Sequence, residues 1–424
     1  MRVTLLPLAA PERMASHRLL FTIYAPWWPS ILWRETISKR SAPPCLPWSW
    51  RNALSGKMAA TRVEIDHQAI RHNLRLIEKR VAPAGVMAVI KANAYGHGAV
   101  ELAETFSRMG VRRFAVATPD EALELRQHNI SGDILLFGAH DFSAVPDLIQ
   151  NDITLTLNEL SAIDELSRRA GRSGKVMRCH VNVDTGMGRA GMLPRDLPLA
   201  LEKCAKETML RLEGLYTHFS SADEEDASHT RQQIERFKAM ASAAGKNAHL
   251  LKHMANSAAI MRFPQSYADV VRPGIMLYGN LPSPDFVTEW PLREAMQFKS
   301  YVSLIKKVKA GSTVSYNRRY VTAEETHLAL VPVGYADGYM RAMTGKAFVL
   351  IGGRRLAVSG TVTMDQLVID LGARTTVKPG DEVVLFGRQG DEFISINEVA
   401  RWAGTISYEV TCSVSGRVPR RHRY

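Results

Sequence analysis

The chain has 424 residues, of which 46% are hydrophobic and 23% charged, a composition typical of a globular protein with room for two domains. Its formal net charge is +12, but residues 1–57 hold eight Lys/Arg against two Asp/Glu and so supply half of that charge. The remainder has no basic run interleaved with aromatic residues, which argues against nucleic-acid binding.

Residues 1–57 show no sustained helical or strand period, and prolines interrupt both of their apolar stretches, 5–10 and 19–33. Those prolines argue against a secretory signal and against a membrane span. We expect a poorly ordered leader that is not part of the working protein, with Met58 as the working start. A surface-associating segment and a targeting segment are the alternatives.

The four cysteines form no Cys-x-x-Cys pair and have no histidine at metal-ligand spacing. Neither a disulfide framework nor a metal site is therefore predicted. Together with the lack of a signal peptide, this favours the reducing cytoplasm.

From residue 66 to 293, short apolar strands alternate with amphipathic helical patterns such as 118–129 and 229–244. Eight strands are predicted, at 86–93, 113–117, 133–138, 153–157, 176–184, 212–218, 249–254 and 270–274. This is the strand count of a (β/α)₈ barrel of the TIM type, which carries its catalytic groups at the C-terminal ends of the strands.

Beyond residue 294 the pattern changes to short strands separated by Gly or Pro turns. They are predicted at 298–307, 327–333, 347–351, 355–358, 367–370 and 382–387, with one helix at 396–403. We assign 294–424, with the early strand 62–65, to a second, mostly β domain.

Lys91 lies at the far end of the apolar run 86–100, just before a Gly-His-Gly exit. A buried lysine is costly unless it gives up its charge, and a neutral amine can attack a carbonyl to form an imine. The alternative is a lysine that reaches from the strand end to solvent.

Other polar residues also follow the predicted strands, so a barrel would gather them around one mouth. Their amine, guanidinium, hydroxyl, imidazole and backbone amide groups suit an anionic ligand that bears a carbonyl, such as pyridoxal phosphate. Each also has a structural interpretation, as a core histidine, a salt-bridge partner or a helix cap. The segments are 91–95, 184–189, 217–220, 253–257 and 272–275.

Seven motifs in this order make the chain resemble the bacterial alanine racemases, which are fold-type III pyridoxal-phosphate enzymes. The resemblance covers about 62–420. The motifs are Val-Ile-Lys91-Ala-Asn-Ala-Tyr95-Gly-His-Gly, Asp184-Thr-Gly-Met-Gly-Arg189, Asn256-Ser257-Ala, Arg272-Pro-Gly-Ile, Gly334-Tyr335-Ala-Asp337-Gly, Met364-Asp365-Gln and Tyr408-Glu-Val followed by Arg417-Val-Pro-Arg420.

The resemblance implies a two-base interconversion of L- and D-alanine. Lys91 would hold the cofactor and act on one face of the substrate, and Tyr335 of a partner subunit would act on the other. Arg272, hydrogen-bonded to His218, would face the pyridine nitrogen and leave it neutral, because arginine does not release its proton. The remaining implied cofactor-binding residues, mostly around the phosphate, are Tyr95, Asn256, Ser257, Gly274, Ile275 and Tyr408.

The resemblance also implies that Arg189 and the Met364 amide bind the substrate carboxylate. Because Lys91 and Tyr335 belong to different domains, it implies a homodimer with shared sites. The chain departs from the family pattern at Asn182, where a carbamylated lysine often positions the arginine. A neutral amide cannot replace that anion, so we expect a chloride near Asn182 and Arg189.

Three other functions stay open: a racemase of serine, lysine, arginine or several amino acids, a fold-type III decarboxylase, and a non-catalytic pyridoxal-phosphate-binding protein. The sequence does not distinguish D-alanine supply for peptidoglycan from alanine breakdown.

Overall fold

Eight parallel strands close into a barrel in the first half of the chain, as predicted. The computed structural model describes residues 61–138, 142–243, 245 and 248–424, so the predictions for 1–57 lie outside the described residues. A separate strand, β1 (Arg62–Asp66), precedes the barrel. The barrel strands are β2 (Gly85–Val89), β3 (Arg113–Val116), β4 (Asp133–Leu136), β5 (Ile153–Leu157), β6 (Met177–Asn182), β7 (Leu210–Tyr216), β8 (Leu251–His253) and β9 (Val270–Val271).

Helices alternate with these strands, and the fourth begins as its sequence predicts. The Thr118 hydroxyl accepts from the Glu121 amide at 3.3 Å while the Glu121 carboxylate accepts from the Thr118 amide, which is a capping box. The helices are α1 (His67–Val81), α2 (Lys91–Tyr95), α3 (Ala99–Arg108), α4 (Pro119–Gln127), α5 (Val145–Gln150), α6 (Ser161–Ser173), α7 (Leu197–Lys206), α8 (Ser228–Ala243) and α9 (Ser257–Arg262).

The remainder of the chain is mostly antiparallel strand, which confirms the predicted fold class. The strands are β10 (Met296–Tyr301), β11 (Leu304–Val308), β12 (Thr313–Val314), β13 (Tyr320–Val321), β14 (Thr326–Val331), β15 (Phe348–Ile351), β16 (Arg354–Ala357), β17 (Leu367–Asp370), β18 (Glu382–Gln389), β19 (Glu392–Ile394) and β20 (Arg420–Arg423). Two helices, α10 (Ile396–Ala403) and α11 (Ser407–Ser413), lie between β19 and β20.

Several predicted strands were wrong in their extent; the one predicted over 270–274, for example, has only two residues, Val270–Val271. The strand predicted over 86–93 ends at Val89, because the backbone turns into α2 at Lys91. The strand predicted over 298–307 is two strands, β10 and β11, since they pair in different sheets.

The first and last described strands lie side by side and bring the β domain to the barrel mouth. β1 pairs antiparallel with β10 and parallel with β20, where Val63 is opposite Arg420. The Arg420 guanidinium donates to the Gly96 carbonyl at 3.0 Å, just after α2. The β domain is thus attached to the segment that carries Lys91.

None of the helices in the described part of the chain is long and apolar enough to cross a membrane.

Candidate active site

A cavity of about 410 Å³ opens at the C-terminal ends of the barrel strands. This volume is within the usual range for a small-molecule site. Most of the residues singled out in the sequence line it together. They are Lys91, Tyr95, Asn182, Arg189, His218, Asn256, Ser257, Arg272, Gly274 and Tyr408.

Lys91 begins a left-handed turn of backbone rather than ending a strand. The four residues from Ala92 to Tyr95 all have φ between 52° and 54°, although none is glycine. This conformation costs roughly 1–2 kcal/mol per residue. It places Lys91 and Tyr95, one turn apart, at the same cavity.

Hydrogen bonds to neighbouring segments hold the left-handed turn. Glu121 accepts from the Ala92 amide at 2.6 Å, and its other carboxylate oxygen accepts from the Ala117 amide at 2.8 Å. The Asn93 side chain accepts from the Ala99 amide at 2.8 Å, which ties the turn to α3. The surroundings therefore offset the local backbone strain.

The surroundings of Lys91 favour its neutral amine. Burial lowers the pKa of Lys91, and the positive charge of Arg189 lowers it further, against smaller opposing effects of Glu121 and Cys412. A neutral amine is the nucleophilic form of lysine.

Arg272 is a buried guanidinium, only 3% exposed, and in the described part of the chain no carboxylate forms an ion pair with it. It donates to the Thr217 carbonyl at 2.7 Å and to the Met254 carbonyl at 3.0 Å. The remaining partners are His253 Nδ1 at 3.0 Å and His218 Nδ1 at 3.3 Å. Burial lowers the pKa of Arg272 to about 10, so it stays protonated at neutral pH.

The two histidines beside Arg272 are neutral. Burial, followed by the charge of Arg272, lowers the pKa of His218 to about 3, and the same causes hold the pKa of His253 well below its ordinary value. Both can therefore accept hydrogen bonds from the guanidinium.

Ser257 and Gly274, which both line the cavity, form a small polar cradle. The Ser257 hydroxyl accepts from the Gly274 amide at 2.9 Å and from the Met276 amide at 3.4 Å. A Cβ atom on Gly274 would lie 2.5 Å from the Tyr95 hydroxyl, so glycine is what lets this hydroxyl approach the backbone here. The Tyr95 and Tyr408 rings lie 5.7 Å apart beside it, and Ile275 is buried at the start of a 3₁₀ turn.

Asn182 lies at the end of β6 and donates to the Asn158 side chain at 2.9 Å. Arg189, in the exposed turn that follows, also lines the cavity. Both residues therefore line the same cavity.

Tyr335 and Met364 do not line this cavity. They are 41% and 52% exposed and lie next to each other, because the Ala336 amide donates to the Met364 carbonyl at 3.0 Å. In the single chain, ten of the expected residues thus line the cavity and Ile275 follows one of them in sequence. The other two, Tyr335 and Met364, lie on an exposed surface of the β domain.

Three residues that lie behind the cavity lining had no assigned role in the sequence: Glu121, His253 and His180. Glu121 was visible only as part of a helix start. Alternate residues of a strand face the same side, so the alternation could have placed His180, two residues before Asn182, on the inner face of the barrel. The hydrogen bond between His180 and His253 could not be predicted, because it joins two strands that are not neighbours.

Family comparisons agree with this geometry. The model "Alanine racemase, N-terminal domain" matches residues 65–282, and "Alanine racemase, C-terminal domain" matches 295–422. The chain belongs to the alanine racemase family. The prediction of an enzyme of this family is confirmed.

Relatives of known name match the chain over nearly their whole length. The alanine racemase of Carboxydothermus hydrogenoformans is 44% identical over 360 residues, which are 84% of this chain and 98% of the relative. The solved alanine racemase from E. faecalis has a TM-score of 0.83 at 36% identity and covers 87% of this chain and 99% of its own. The alanine racemase from Bacillus anthracis with bound L-Ala-P has a TM-score of 0.80 at 38% identity, over 86% of this chain and 95% of that one.

Proposed function

We propose that this alanine racemase interconverts L- and D-alanine with pyridoxal 5'-phosphate, in sites shared between two copies of the chain. The observation that carries the proposal is the buried, carboxylate-free Arg272 in the same cavity as Lys91 and the Ser257–Gly274 cradle.

The residues at the cavity fit pyridoxal phosphate at three points. The amine of Lys91 would hold its aldehyde carbon, and Arg272 would donate to its ring nitrogen, with His218 beside the guanidinium. The phosphate would lie at the Ser257–Gly274 cradle. Its other partners would be Tyr95, Ser257, Ile275 and Tyr408, and Asn256 would contact the cofactor elsewhere. When bound, the cofactor supplies an electron sink for the substrate α-carbon.

Racemisation requires a proton donor or acceptor on each face of the α-carbon. The lowered pKa of Lys91 suits its amine to accept or return the proton on one face. We assign the other face to Tyr335 of a second copy, as the resemblance implies; in its own chain this residue is 41% exposed and does not line the cavity. Arg189 and the Met364 amide would bind the substrate carboxylate.

An anion near Asn182 and Arg189 would complete the mouth of the site. Asn182 offers an amide and no charge, so we propose a bound chloride as the counter-charge to Arg189. Soaking crystals in bromide should produce anomalous density between the two side chains. Activity that does not change when chloride is replaced by a large organic anion would contradict this part of the proposal.

The main alternative is a racemase of another amino acid, or of several. Alanine is favoured because the relatives with solved structures are alanine racemases and one of them contains L-Ala-P. We also place the enzyme in the cytoplasm. Either D-alanine supply for peptidoglycan or alanine breakdown would use the same residues.

The direct test is to incubate the purified protein with L-alanine, L-serine, L-lysine and L-arginine, with added pyridoxal phosphate, and to quantify D-enantiomers by chiral chromatography. We expect D-alanine above the other products, and no product from Lys91→Ala. Release of carbon dioxide, or equal D-alanine from Lys91→Ala, would contradict the proposal.

A further inference from the structure

Two buried histidines connect the active-site arginine to the opposite end of the barrel. Arg272 Nη1 lies 3.0 Å from His253 Nδ1, and His253 Nε2 lies 2.9 Å from His180 Nδ1. His253 is fully buried and His180 is 5% exposed. His180 is on β6 and does not touch the cavity that holds Lys91.

Arg272, His253 and His180 thus form a relay of hydrogen bonds, and the positions of its hydrogens follow from its first member, Arg272. A guanidinium can only donate, so His253 Nδ1 must accept and its single proton must be on Nε2. That proton is donated to His180 Nδ1, which places the proton of His180 on Nε2. Both rings are neutral, since burial lowers the pKa of His180 to about 3 and that of His253 well below its ordinary value.

The backbone around His180 leaves space for its ring. The pairing of β6 with β7 shifts register between Cys179 and His180, so that His180 is opposite Gly214. A Cβ atom on Gly214 would lie 2.5 Å from His180 Nδ1, the atom that accepts from His253. The His253 ring is also fixed, because it stacks on Tyr216 with centroids 4.8 Å apart and planes at 11°.

The relay ends in a second, polar cavity of about 230 Å³ at the N-terminal ends of the barrel strands. His180 lines it together with Arg178, which donates to Asp133 at 2.6 Å and to Glu213 at 2.8 Å. Thr154 also lines it, and its buried hydroxyl has no hydrogen-bond partner within the described residues. This polar end offers acceptors, or room for water, to the Nε2–H of His180.

We propose that His180 is a positioning residue for the reaction at the other end of the barrel: by accepting from His253 it fixes the tautomer of His253, and thereby the orientation of Arg272. Without that acceptor, His253 can carry its proton on Nδ1, where it opposes an N–H of Arg272. The expected effect of His180 on racemisation rests on the proposed function. The hydrogen bonds of the relay do not depend on that function.

His180→Leu and His180→Asn form a matched pair, because the two side chains have nearly the same shape. The asparagine oxygen can accept from His253 at the place of Nδ1, and leucine cannot. We expect His180→Leu to reduce alanine racemisation about tenfold, as loss of a supporting hydrogen bond does in metal sites. The absorbance spectrum of the bound cofactor should also change, and more keto acid should form per racemisation event. His180→Asn should restore most of each property.

A measurement on the parent protein tests the relay independently of activity. With ¹⁵N-labelled histidine, NMR spectra should show His253 and His180 as Nε2–H tautomers, assigned by the loss of signals in the two variants and in His253→Asn. A proton on His253 Nδ1 would overturn the proposal, as would a His180→Leu protein with the parent's cofactor spectrum and keto-acid yield. If the parent does not racemise alanine, the proposed function fails while the tautomers still decide the relay.

Discussion

At the scale of single residues, Glu121 shows how a surface helix start supports the active site. One carboxylate serves the amides of Ala92, Ala117 and Thr118, and so caps α4 and holds the left-handed turn after Lys91. The same group thus has a structural role that its sequence motif predicts and a second role that depends on tertiary contact.

Glu121→Gln should weaken this support. The two carboxylate oxygens of Glu121 accept from different backbone amides, and glutamine replaces one of these oxygens with a nitrogen that cannot accept. We expect a loss of about 1–3 kcal/mol in the free energy of unfolding and weaker retention of pyridoxal phosphate. Urea denaturation and cofactor dialysis measure the two effects. Glu124→Gln, an exposed change on the same helix, is the control. Equal behaviour of the two variants would contradict the role given to Glu121.

At the scale of elements, the sequence predicted what periodicity and turn residues determine. All eight barrel strands and the helix of 396–403 are where the alternation of apolar residues indicated them. The left-handed turn at α2 was not predictable, because Ala92 and Ala94 have no intrinsic preference for positive φ and are held there by neighbours. Helix α11, which carries Tyr408, was missed because its seven residues give too short a helical pattern.

In the left-handed turn, an alanine-to-glycine change should not lower the free energy of unfolding, in contrast to the same change in a regular helix. Ala92→Gly should leave the free energy of unfolding unchanged or raise it, because relief of the positive-φ strain offsets the added entropy of the unfolded chain. Ala239→Gly, at an exposed position inside the regular helix α8, should lower it by about 1 kcal/mol. Urea denaturation of both variants measures the difference. Equal losses would show that Ala92 is not strained.

At the scale of the whole molecule, several buried histidines should make the fold sensitive to acid. Burial lowers the pKa of both His97 and His180 to about 3, well below the value near 6.5 in an unfolded chain. Below pH 6.5 the unfolded state therefore binds more protons than the folded state, so the free energy of unfolding decreases as the pH is lowered. Glu294 has the opposite effect on stability, because burial raises its pKa to about 8 and the folded state therefore binds one more proton there.

We expect the free energy of unfolding to fall between pH 6.5 and 4.5, by up to about 1.4 kcal/mol per pH unit for each net proton. Urea midpoints at pH 7, 6 and 5 measure it. His97→Asn should reduce the slope by one histidine's share. A midpoint that does not move between pH 7 and pH 5 would contradict the neutral, buried state of these rings.

The arrangement of the two domains leads to the central claim. Lys91 and most of the residues proposed to bind the cofactor line one cavity, while Tyr335 and Met364 lie exposed on the β domain. We propose that the two-base reaction takes Tyr335 from a second copy, so that each site of a dimer would combine Lys91 of one chain with Tyr335 of the other.

Mixing two inactive variants tests this claim most directly. Lys91→Ala and Tyr335→Phe homodimers should each have very low alanine racemisation. After unfolding and refolding together, half of the dimers should be hybrids with one site intact, so activity should return to about a quarter of the parent's. Recovery of that size, measured as D-alanine formed from L-alanine, is the predicted result. A mixture no more active than its components, although hybrid dimers have formed, would contradict the shared site.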